Sequence, residues 1–325
     1  MNSTDAGADV QPASDANPSA PFLRDFTAFL KHPFLALGPR SRGDDQRGRG
    51  TEFEATLGGS CRGVSVEPLK PDRFGVATLA DGDVLVYAAS VLTQRLNAGQ
   101  DLHPPITASP NEILRTLGKP TDGRHHTLLA ASFERLATTN VRFALLRVRH
   151  SAGQHNHSPQ NFAYAGPGFS LIEWWERPPR GSRAPWRFRL PTWLVSEIES
   201  KQILKIEPSL LQRRGLERRV AGWARAYLGQ RSSWEIDIAQ VYRLAGALTA
   251  PRQFRHELRA LVARQPIHSV TLVFDPTQQK LRVTHENALI RASIDGPSLG
   301  TEHPAEGEPF DIPEEELRAL LAHRT

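Results

Sequence analysis

Cysteine is nearly absent from this chain, which holds Cys61 alone among 325 residues. A single cysteine cannot form a disulfide within the chain, and it offers no cysteine cluster for a zinc site. The sequence has no run of 18 apolar residues, so it predicts no membrane-spanning helix. Its first residues lack a basic region followed by an apolar stretch, so we expect no secretory signal and a cytoplasmic protein.

Sequence signatures of enzymes are missing as well. No Gly-x-x-x-x-Gly-Lys-Ser/Thr motif occurs, so a P-loop ATPase is not supported. The histidines that could suggest a metal site are His125, His126, His150, His155 and His157. The last three lie in or beside a loop-like stretch without Cys, Asp or Glu to support a metal. His155 and His157 have the His-x-His spacing of an HUH-type nickase, but their small polar neighbours favour a hairpin tip, and the chain has only 4 Tyr. We therefore expect no enzyme, no metal and no cofactor.

The charges that are present are unevenly distributed. Lysine is scarce, with 6 residues against 34 arginines. Residues 177–264 carry 18 Lys and Arg against 7 Asp and Glu, a local charge of +11, whereas residues 286–325 carry 3 basic against 9 acidic residues, a local charge of −6. A basic block of this size suits contacts with phosphates.

The length of the chain allows two domains and tails. We predict a disordered N-terminal tail over residues 1–29, because Ser, Asp, Ala and Pro dominate its beginning. Domains are predicted over residues 30–190 and 191–290. An acidic tail rich in Pro and Glu follows over residues 291–325, with a short helix over 313–321.

Hydrophobic spacing in the first half predicts short strands, then helices, then strands. Residues 53–66 favour short strands with a turn at Gly58 and Gly59. Helices are predicted from Asp83, as N-cap, to about residue 97, from Ser109, and from about residue 124 to Ala137. Alternating apolar residues predict strands over 140–150, 168–177 and 185–190.

The second half repeats the order of helices and strands. Helices are predicted over 216–228, 237–246 and 251–265, and strands over 267–274 and 280–285. A helix–turn–helix followed by a β-hairpin is how a winged helix is built. We therefore predict an α+β fold of two tandem winged-helix domains with disordered tails.

The predicted helix over residues 251–265 has two different faces. At 100° per residue, Phe254, Leu258, Leu261 and Val262 share one third of the circumference. The opposite third carries Arg252, Arg255, His256 and Arg259. An apolar face can dock on a core while the basic face meets a polyanion, which favours DNA binding over a solvated surface helix.

Four segments resemble the plasmid replication initiator protein A family, the RepA-like initiators. They are His-Pro-Phe-Leu-Ala-Leu over 32–37, Gly-Val-Ala-Thr-Leu-Ala-Asp-Gly-Asp-Val-Leu-Val-Tyr over 75–87, Gly-Phe-Ser-Leu-Ile-Glu-Trp-Trp over 168–175, and Leu-Glu-Arg-Arg-Val over 216–220 followed by Ala-Arg. They occur in the family's order over about residues 30–285. The first 20 residues, the acidic tail and residues 223–227 depart from the family pattern.

The resemblance implies a protein that binds double-stranded DNA at direct repeats (iterons) of a plasmid origin. It also implies partners: a host initiator, the replicative helicase and a second copy in a homodimer. In such initiators the second winged helix reads the major groove, while the first serves dimerisation or contacts the DNA backbone.

The candidate DNA-binding residues fall into four sets. For the groove we name Arg252, Arg255, His256 and Arg259, with Gln253 reading adenine. For the backbone we name Arg213, Arg214, Arg218 and Arg219. The wing contributes Lys280 and Arg282, and the first domain Arg124 and Arg135.

Two other functions remain open from the sequence. A winged-helix transcriptional repressor shares every DNA-binding feature, and it would favour an inverted repeat over direct repeats. Repression of its own promoter can coexist with initiation. A relaxase or primase-like enzyme would need a carboxylate cluster to hold a metal, and the sequence shows none.

Overall fold

A computed structural model describes residues 23–37, 51–57, 60–69, 75–143, 146–147, 162–163, 168–179, 182, 184–228, 231–247, 249–264, 270–275, 277 and 280–285. The chain is a mixed α+β protein with small antiparallel sheets, as predicted. Among the described residues, no helix is long and apolar enough to span a membrane. The histidines of 148–160, the acidic tail and its predicted short helix lie outside the described residues.

The elements of the first half alternate between short strands and helices. They are β1 (Leu23–Phe26), α1 (Thr27–Lys31), β2 (Thr51–Leu57), β3 (Ser60–Pro68), α2 (Asp83–Asn97), β4 (Ile106–Ala108), α3 (Pro110–Thr116), α4 (Gly123–Thr138), β5 (Thr139–Phe143), β6 (Leu146–Arg147), β7 (Phe162–Ala163), β8 (Phe169–Ser170), β9 (Trp174–Glu176) and β10 (Trp186–Arg189).

The elements of the second half begin after Leu190. They are α5 (Thr192–Glu199), β11 (Ile203–Ile206), α6 (Pro208–Gln212), α7 (Gly215–Trp223), a π-helical turn (Ala224–Leu228), β12 (Ser233–Asp237), α8 (Ile238–Ala245), α9 (Pro251–Ala263), β13 (Val270–Asp275) and β14 (Lys280–His285). The helices α1, α5 and α6 were not predicted; α1 and α6 have 5 residues each, too few to show a helical period.

Two three-stranded sheets have the same connectivity. In the first half, β4 leads into α3 and α4, and the sheet order is β4-β10-β9. In the second half, β12 leads into α8 and α9, and the sheet order is β12-β14-β13. In both sheets the last strand is central and pairs antiparallel with its two neighbours. The predicted repeat of elements therefore exists at the level of topology.

The first of these units carries an additional sheet. β2 and β3 form a hairpin, β3 pairs with β5, and β5 pairs with β8. The hairpin agrees with the strands predicted around residues 53–66. The strands predicted over 140–150 and 168–177 take part in two different sheets. β5 and β8 belong to this separate sheet, whereas β9 pairs with β10.

Side-chain caps fix the starts of α3 and α4. The Ser109 hydroxyl accepts a hydrogen bond from the Glu112 amide at 3.1 Å, and Pro110 occupies the first turn as predicted. Asp122 accepts from the His125 amide at 2.9 Å. Asp83 was predicted as the N-cap of α2, and this was wrong. Gly82 is the N-cap, and Asp83 is buried in an ion pair described below.

Two hydrophobic cores organise the chain. The first core runs from Leu23 to Leu211, includes the buried sides of α1 to α6, and takes in Ala221 of α7. The second core runs from Leu216 to Val283 and gathers α7, α8, α9 and the sheet β12-β14-β13. The residues 194–211 pack on the first core. The predicted domain limits at 190 and 290 stay predictions.

A segment near the N-terminus, residues 23–37, joins the two cores, and we call it the N-terminal strap. Its β1 pairs with β11, and its α1 packs on α7 and the π-helical turn. The Leu37 amide donates to the carbonyl of Gly246 at the end of α8, at 3.2 Å. The prediction of disorder up to residue 29 was therefore wrong for residues 23–29, since Leu23 and Phe26 are fully buried.

Candidate nucleic-acid interface

The turn between α8 and α9 is defined by three local features. Gly246 ends α8 with a left-handed backbone, at a φ of 62°. The Tyr242 hydroxyl donates to the carbonyl of Thr249 at 2.8 Å. Pro251 starts α9, where its missing N–H leaves no helical bond unmade. The sequence thus folds residues 238–263 into two helices joined by a short, fixed turn.

Helix α9 buries its predicted apolar face. Phe254 is fully buried and packs edge-on against Tyr242, with ring centroids 5.2 Å apart. Leu258 and Leu261 are also buried in the second core. Burial of each of these three side chains stabilises the docked helix by roughly 2 kcal/mol. This hydrophobic contribution fixes which face of α9 turns towards the core.

The opposite face of α9 is exposed and basic. Its side chains are Arg252, Gln253, Arg255, His256 and Arg259, and all are exposed. The sequence-derived groove set therefore lies together on one surface. No carboxylate is paired with its three arginines among the described residues.

Two contacts along α9 restrict individual side chains. The Gln253 Nε2 donates to Oε1 of Glu257 at 3.2 Å, so a bidentate contact with adenine would require this bond to open. The Arg259 guanidinium lies over the ring of Phe274 on β13, 5.8 Å from its centroid. Arg259 thereby links the helix to the following hairpin.

The hairpin β13–β14 carries the two predicted wing cations. Arg282 lies directly opposite Glu235 on β12, and Lys280 lies opposite Asp237. The Nη2 of Arg282 lies 2.5 Å from Oε1 of Glu235, and the Nζ of Lys280 lies 4.0 Å from its Oε2. One carboxylate therefore reduces the positive charge of both cations. Glu235 was not singled out from the sequence.

The four arginines around the start of α7 separate into two pairs. Arg213 forms an ion pair with Glu217, and Arg214 is exposed. Arg218 and Arg219 are buried, with 8% and 2% of their surfaces exposed. Buried guanidinium groups cannot reach a DNA backbone at the surface. The prediction that Arg218 and Arg219 contact DNA was therefore wrong.

Arg218 and Arg219 have partners inside the protein. The Nη2 of Arg218 lies 2.5 Å from Oδ1 of Asp83, and Lys119 also contacts that carboxylate. Arg219 donates to three carbonyls of the N-terminal strap: to Phe29 at 3.1 Å, His32 at 3.4 Å and Leu35 at 2.5 Å. Burial and the neighbouring charge of Arg218 lower the pKa of Arg219 to about 9. These arginines connect the two cores.

Asp25 lies beside the same buried arginines. Its Oδ1 accepts a hydrogen bond from the Phe26 amide at 2.8 Å. Burial raises the pKa of Asp25 to about 6, although the nearby charge of Arg218 lowers it. Local sequence does not reveal that Asp25 and Asp83 lie beside buried arginines, because those arginines are more than 100 residues away along the chain.

The first unit carries fewer free cations on the corresponding helix, α4. Arg124 is exposed at its start. Arg135, the second candidate there, forms an ion pair with the buried Asp81, with its Nη2 2.5 Å from Oδ1. Hydrogen bonding to Asp81 raises the pKa of Arg135. The charge of Arg135 is therefore already paired inside the protein. Leu128 is a large apolar side chain that α4 exposes.

The described histidines of α4 have ordinary polar partners. The Nδ1 of His125 lies 2.8 Å from Oδ1 of Asp122, and the Nε2 of His126 lies 2.7 Å from Oδ1 of Asn111. Hydrogen bonds from His125 lower the pKa of Asp122. Within the described part of the chain, no group of three metal-binding side chains comes together.

Comparisons with known proteins place the chain among replication initiators. The family described as Replication initiator protein A matches residues 24–272. A relative from Wigglesworthia glossinidia brevipalpis, provisionally described as a replication protein, is 23% identical over 241 residues, which are 72% of this chain and 78% of that protein. The chain belongs to the Replication initiator protein A family. Membership agrees with the expectation that it is not an enzyme.

A solved structure shares the fold. The crystal structure of domains 2 and 3 of RctB superposes with a TM-score of 0.50 at 14% sequence identity. It covers 80% of this chain and 98% of the solved chain. Both units of the present chain are therefore parts of an architecture seen in that protein.

Proposed function

We propose that this chain initiates plasmid replication by binding direct repeats at the origin through α9. In this proposal, residues 30–190 and 191–290 are tandem winged-helix domains. The second reads the major groove, and the first serves dimerisation or backbone contact. Host initiator and replicative helicase are the partners that the proposal includes, and the acidic tail is placed outside both domains.

The repeated topology supports two winged helices. Each three-stranded sheet is entered by a strand that leads into two helices, and the following hairpin returns its last strand to the centre. A helix precedes each unit, α2 in the first and α7 with the π-helical turn in the second. Helix–turn–helix plus hairpin is an arrangement that places the second helix in a DNA groove.

The exposed basic face of α9 is the single observation that carries DNA recognition. The three arginines Arg252, Arg255 and Arg259 have no acidic partner within the part of the chain that is described, so their charge is available to DNA. On α4, the corresponding helix of the first unit, Arg124 is an exposed arginine without an acidic partner among the described residues. The same helix exposes the apolar side chain of Leu128. The asymmetry supports recognition by the second unit and another role for the first.

The experiment is nuclease footprinting of the purified chain on the DNA that flanks its own gene. The salt concentration should be about 150 mM, because low salt exaggerates non-specific binding. Regular protection of direct repeats about two helical turns apart would establish an iteron-binding initiator. Protection of one inverted repeat over the promoter would instead favour a repressor. Uniform or absent protection would overturn sequence-specific binding by α9.

A further inference from the structure

A concave cleft lies beside the basic face of α9, between that helix and the start of α7. Its volume is about 340 Å³, and Leu261 contributes to its apolar floor. Its charged lining consists of Arg214, His256 and Arg264 together with Glu217 and Glu257. Arg264 was not among the residues singled out from the sequence, because it lies beyond the apolar periodicity of α9.

The three basic side chains of the cleft are available to a ligand. Arg214, His256 and Arg264 are all exposed. The Nε of Arg264 donates to the carbonyl of Ala260 at 3.3 Å, which holds the guanidinium along the last turn of α9. Neither Arg214 nor the terminal nitrogens of Arg264 have an acidic partner among the described residues.

The two carboxylates of the cleft are already engaged. Glu217 forms an ion pair with Arg213, and Glu257 accepts a hydrogen bond from Gln253 at 3.2 Å. With Arg213 included, three arginines therefore face two glutamates around the cleft, and His256 adds a further donor. The cleft has the charge of an anion site with room for one phosphate and its water.

The position of the cleft relates it to a bound duplex. Arg264 lies roughly 120° around α9 from Arg252, so it is at one border of the basic face. On the other side, Arg255 lies roughly 60° from Arg252, and Arg259, over Phe274 of the hairpin, lies between the two. A helix inserted in a major groove has a sugar–phosphate strand on each side, and the cleft is placed for one of them.

We propose that Arg214, His256 and Arg264 bind one phosphodiester group of the DNA whose groove α9 occupies. This inference rests on the proposed function and deepens it, because it assigns His256 to the backbone instead of a base edge. A contact of this kind fixes the register of α9 along the groove without reading sequence. The Arg213–Glu217 pair keeps Glu217 from repelling the phosphate.

The test compares R264A, R214A and the charge-conserving R264K with the wild-type chain. Dissociation constants are measured between about 50 and 300 mM salt, on the footprinted site and on random duplex. We expect R264A and R214A each to weaken binding roughly fivefold on both DNAs. Each should also reduce the slope of log K against log salt by about 1. R264K should retain most of the wild-type slope.

Two further variants sharpen the result. E257Q removes a negative charge from the cleft and should strengthen binding roughly twofold to threefold on both DNAs. R142A removes an exposed arginine from β5, in the additional sheet, and should leave affinity and slope unchanged. Ethylation interference should show one phosphate whose modification weakens the wild type but not R264A.

The outcomes separate the two proposals. If the wild-type chain protects its site while R264A and R214A keep the full salt slope, the cleft does not bind phosphate, and α9 recognition stands. If R264A changes sequence preference instead, Arg264 contacts a base, and the cleft assignment is wrong. If the wild type binds no DNA, the proposed function and the cleft fail together.

Discussion

Arg218 of α7 and Asp83 of α2 form an ion pair inside the protein, with Nη2 2.5 Å from Oδ1, although 135 residues separate them. Both side chains are buried, and Lys119 contacts the same carboxylate. The pair joins α7, which begins the second core, to α2, the helix that precedes the first unit. Two cores with separate apolar interiors are thus held by a charged contact between them.

The first prediction concerns this ion pair. R218A leaves the buried Asp83 with Lys119 as its cation, and removal of one partner from a buried pair is strongly destabilising. We expect the free energy of unfolding to fall by about 3 kcal/mol, measured by urea denaturation. The matched control is R225A, whose exposed arginine donates to the carbonyl of Lys205 and should lower stability by less than about 1 kcal/mol. Equal losses in both variants would contradict a special role of the pair.

The second prediction concerns Glu235 on β12. Since Glu235 pairs with Arg282 and lies 4.0 Å from Lys280, E235Q should free Arg282 and weaken the restraint on Lys280. We expect DNA affinity to rise roughly threefold on specific and random duplex alike, with a steeper salt dependence. Fluorescence anisotropy at two salt concentrations measures both effects.

The first unit offers a matched control for Glu235. Glu176 on β9 faces Arg187 on the adjacent β10, with Oε2 3.6 Å from Nη1. E176Q removes an equivalent charge from the corresponding sheet, and we expect no change in affinity. A similar gain in both variants would show that net charge alone, and not the hairpin, controls binding.

The third prediction separates base contact from phosphate contact on α9. R255A should cost roughly 1–3 kcal/mol on the specific site and relax the preference at one base pair. The same change should have a smaller effect on random duplex. Competition binding with a library of singly substituted sites measures the preference, and R243A on α8 is the exposed-arginine control. Equal losses on specific and random DNA would make Arg255 a phosphate contact.

The fourth prediction concerns pH and Asp25. Its pKa in the folded protein is about 6, above the ordinary value of 3.8. The folded state therefore binds the proton more tightly than the unfolded state, and the stability that this contributes is complete below pH 3.8 and lost as pH rises through 6. D25N should match the wild type near pH 3.5 and exceed its stability by up to about 3 kcal/mol at pH 7.5.

Histidine titration acts in the opposite direction and must be separated. Burial lowers the pKa of His32 to about 4, so the stability linked to its neutral form is present above pH 6.5 and lost as pH falls through 4. Both groups titrate between about pH 4 and 6.5, and the wild-type profile combines them. Urea midpoints of wild type and D25N across this range isolate Asp25. A constant difference between the two proteins would show that Asp25 does not titrate in this window.

The elements that were predicted correctly are those with long, regular periodicity. Helix α9 was recognised because Phe254, Leu258 and Leu261 recur at helical spacing and all three are buried. The hairpin β13–β14 was recognised through alternation. The separate sheet that holds the short strands β5 and β8 was not predicted, because alternation marks a strand without identifying its partner.

Local sequence patterns predict the burial of Arg219 but not that of Arg218. On a helical wheel, Arg219 lies within about 60° of Leu216, so it belongs to the apolar face of α7, and that signal could have marked it as internal. Arg218 lies roughly 160° from Leu216 and looks like a surface residue. Its burial depends on Asp83, and no local pattern reveals a partner 135 residues away.

The N-terminal strap has a consequence for synthesis of the chain. Residues 23–37 are synthesised before Arg219, the side chain that donates hydrogen bonds to their carbonyls. Arg219 follows more than 180 residues later. At roughly 5–20 residues per second, this interval lasts about 10–40 s. During that time the aromatic rings of Phe29 and Phe34, which finally pack against each other and Trp193, lack the helix that encloses them. The nascent protein therefore exposes an aggregation-prone apolar segment until its second half has been synthesised.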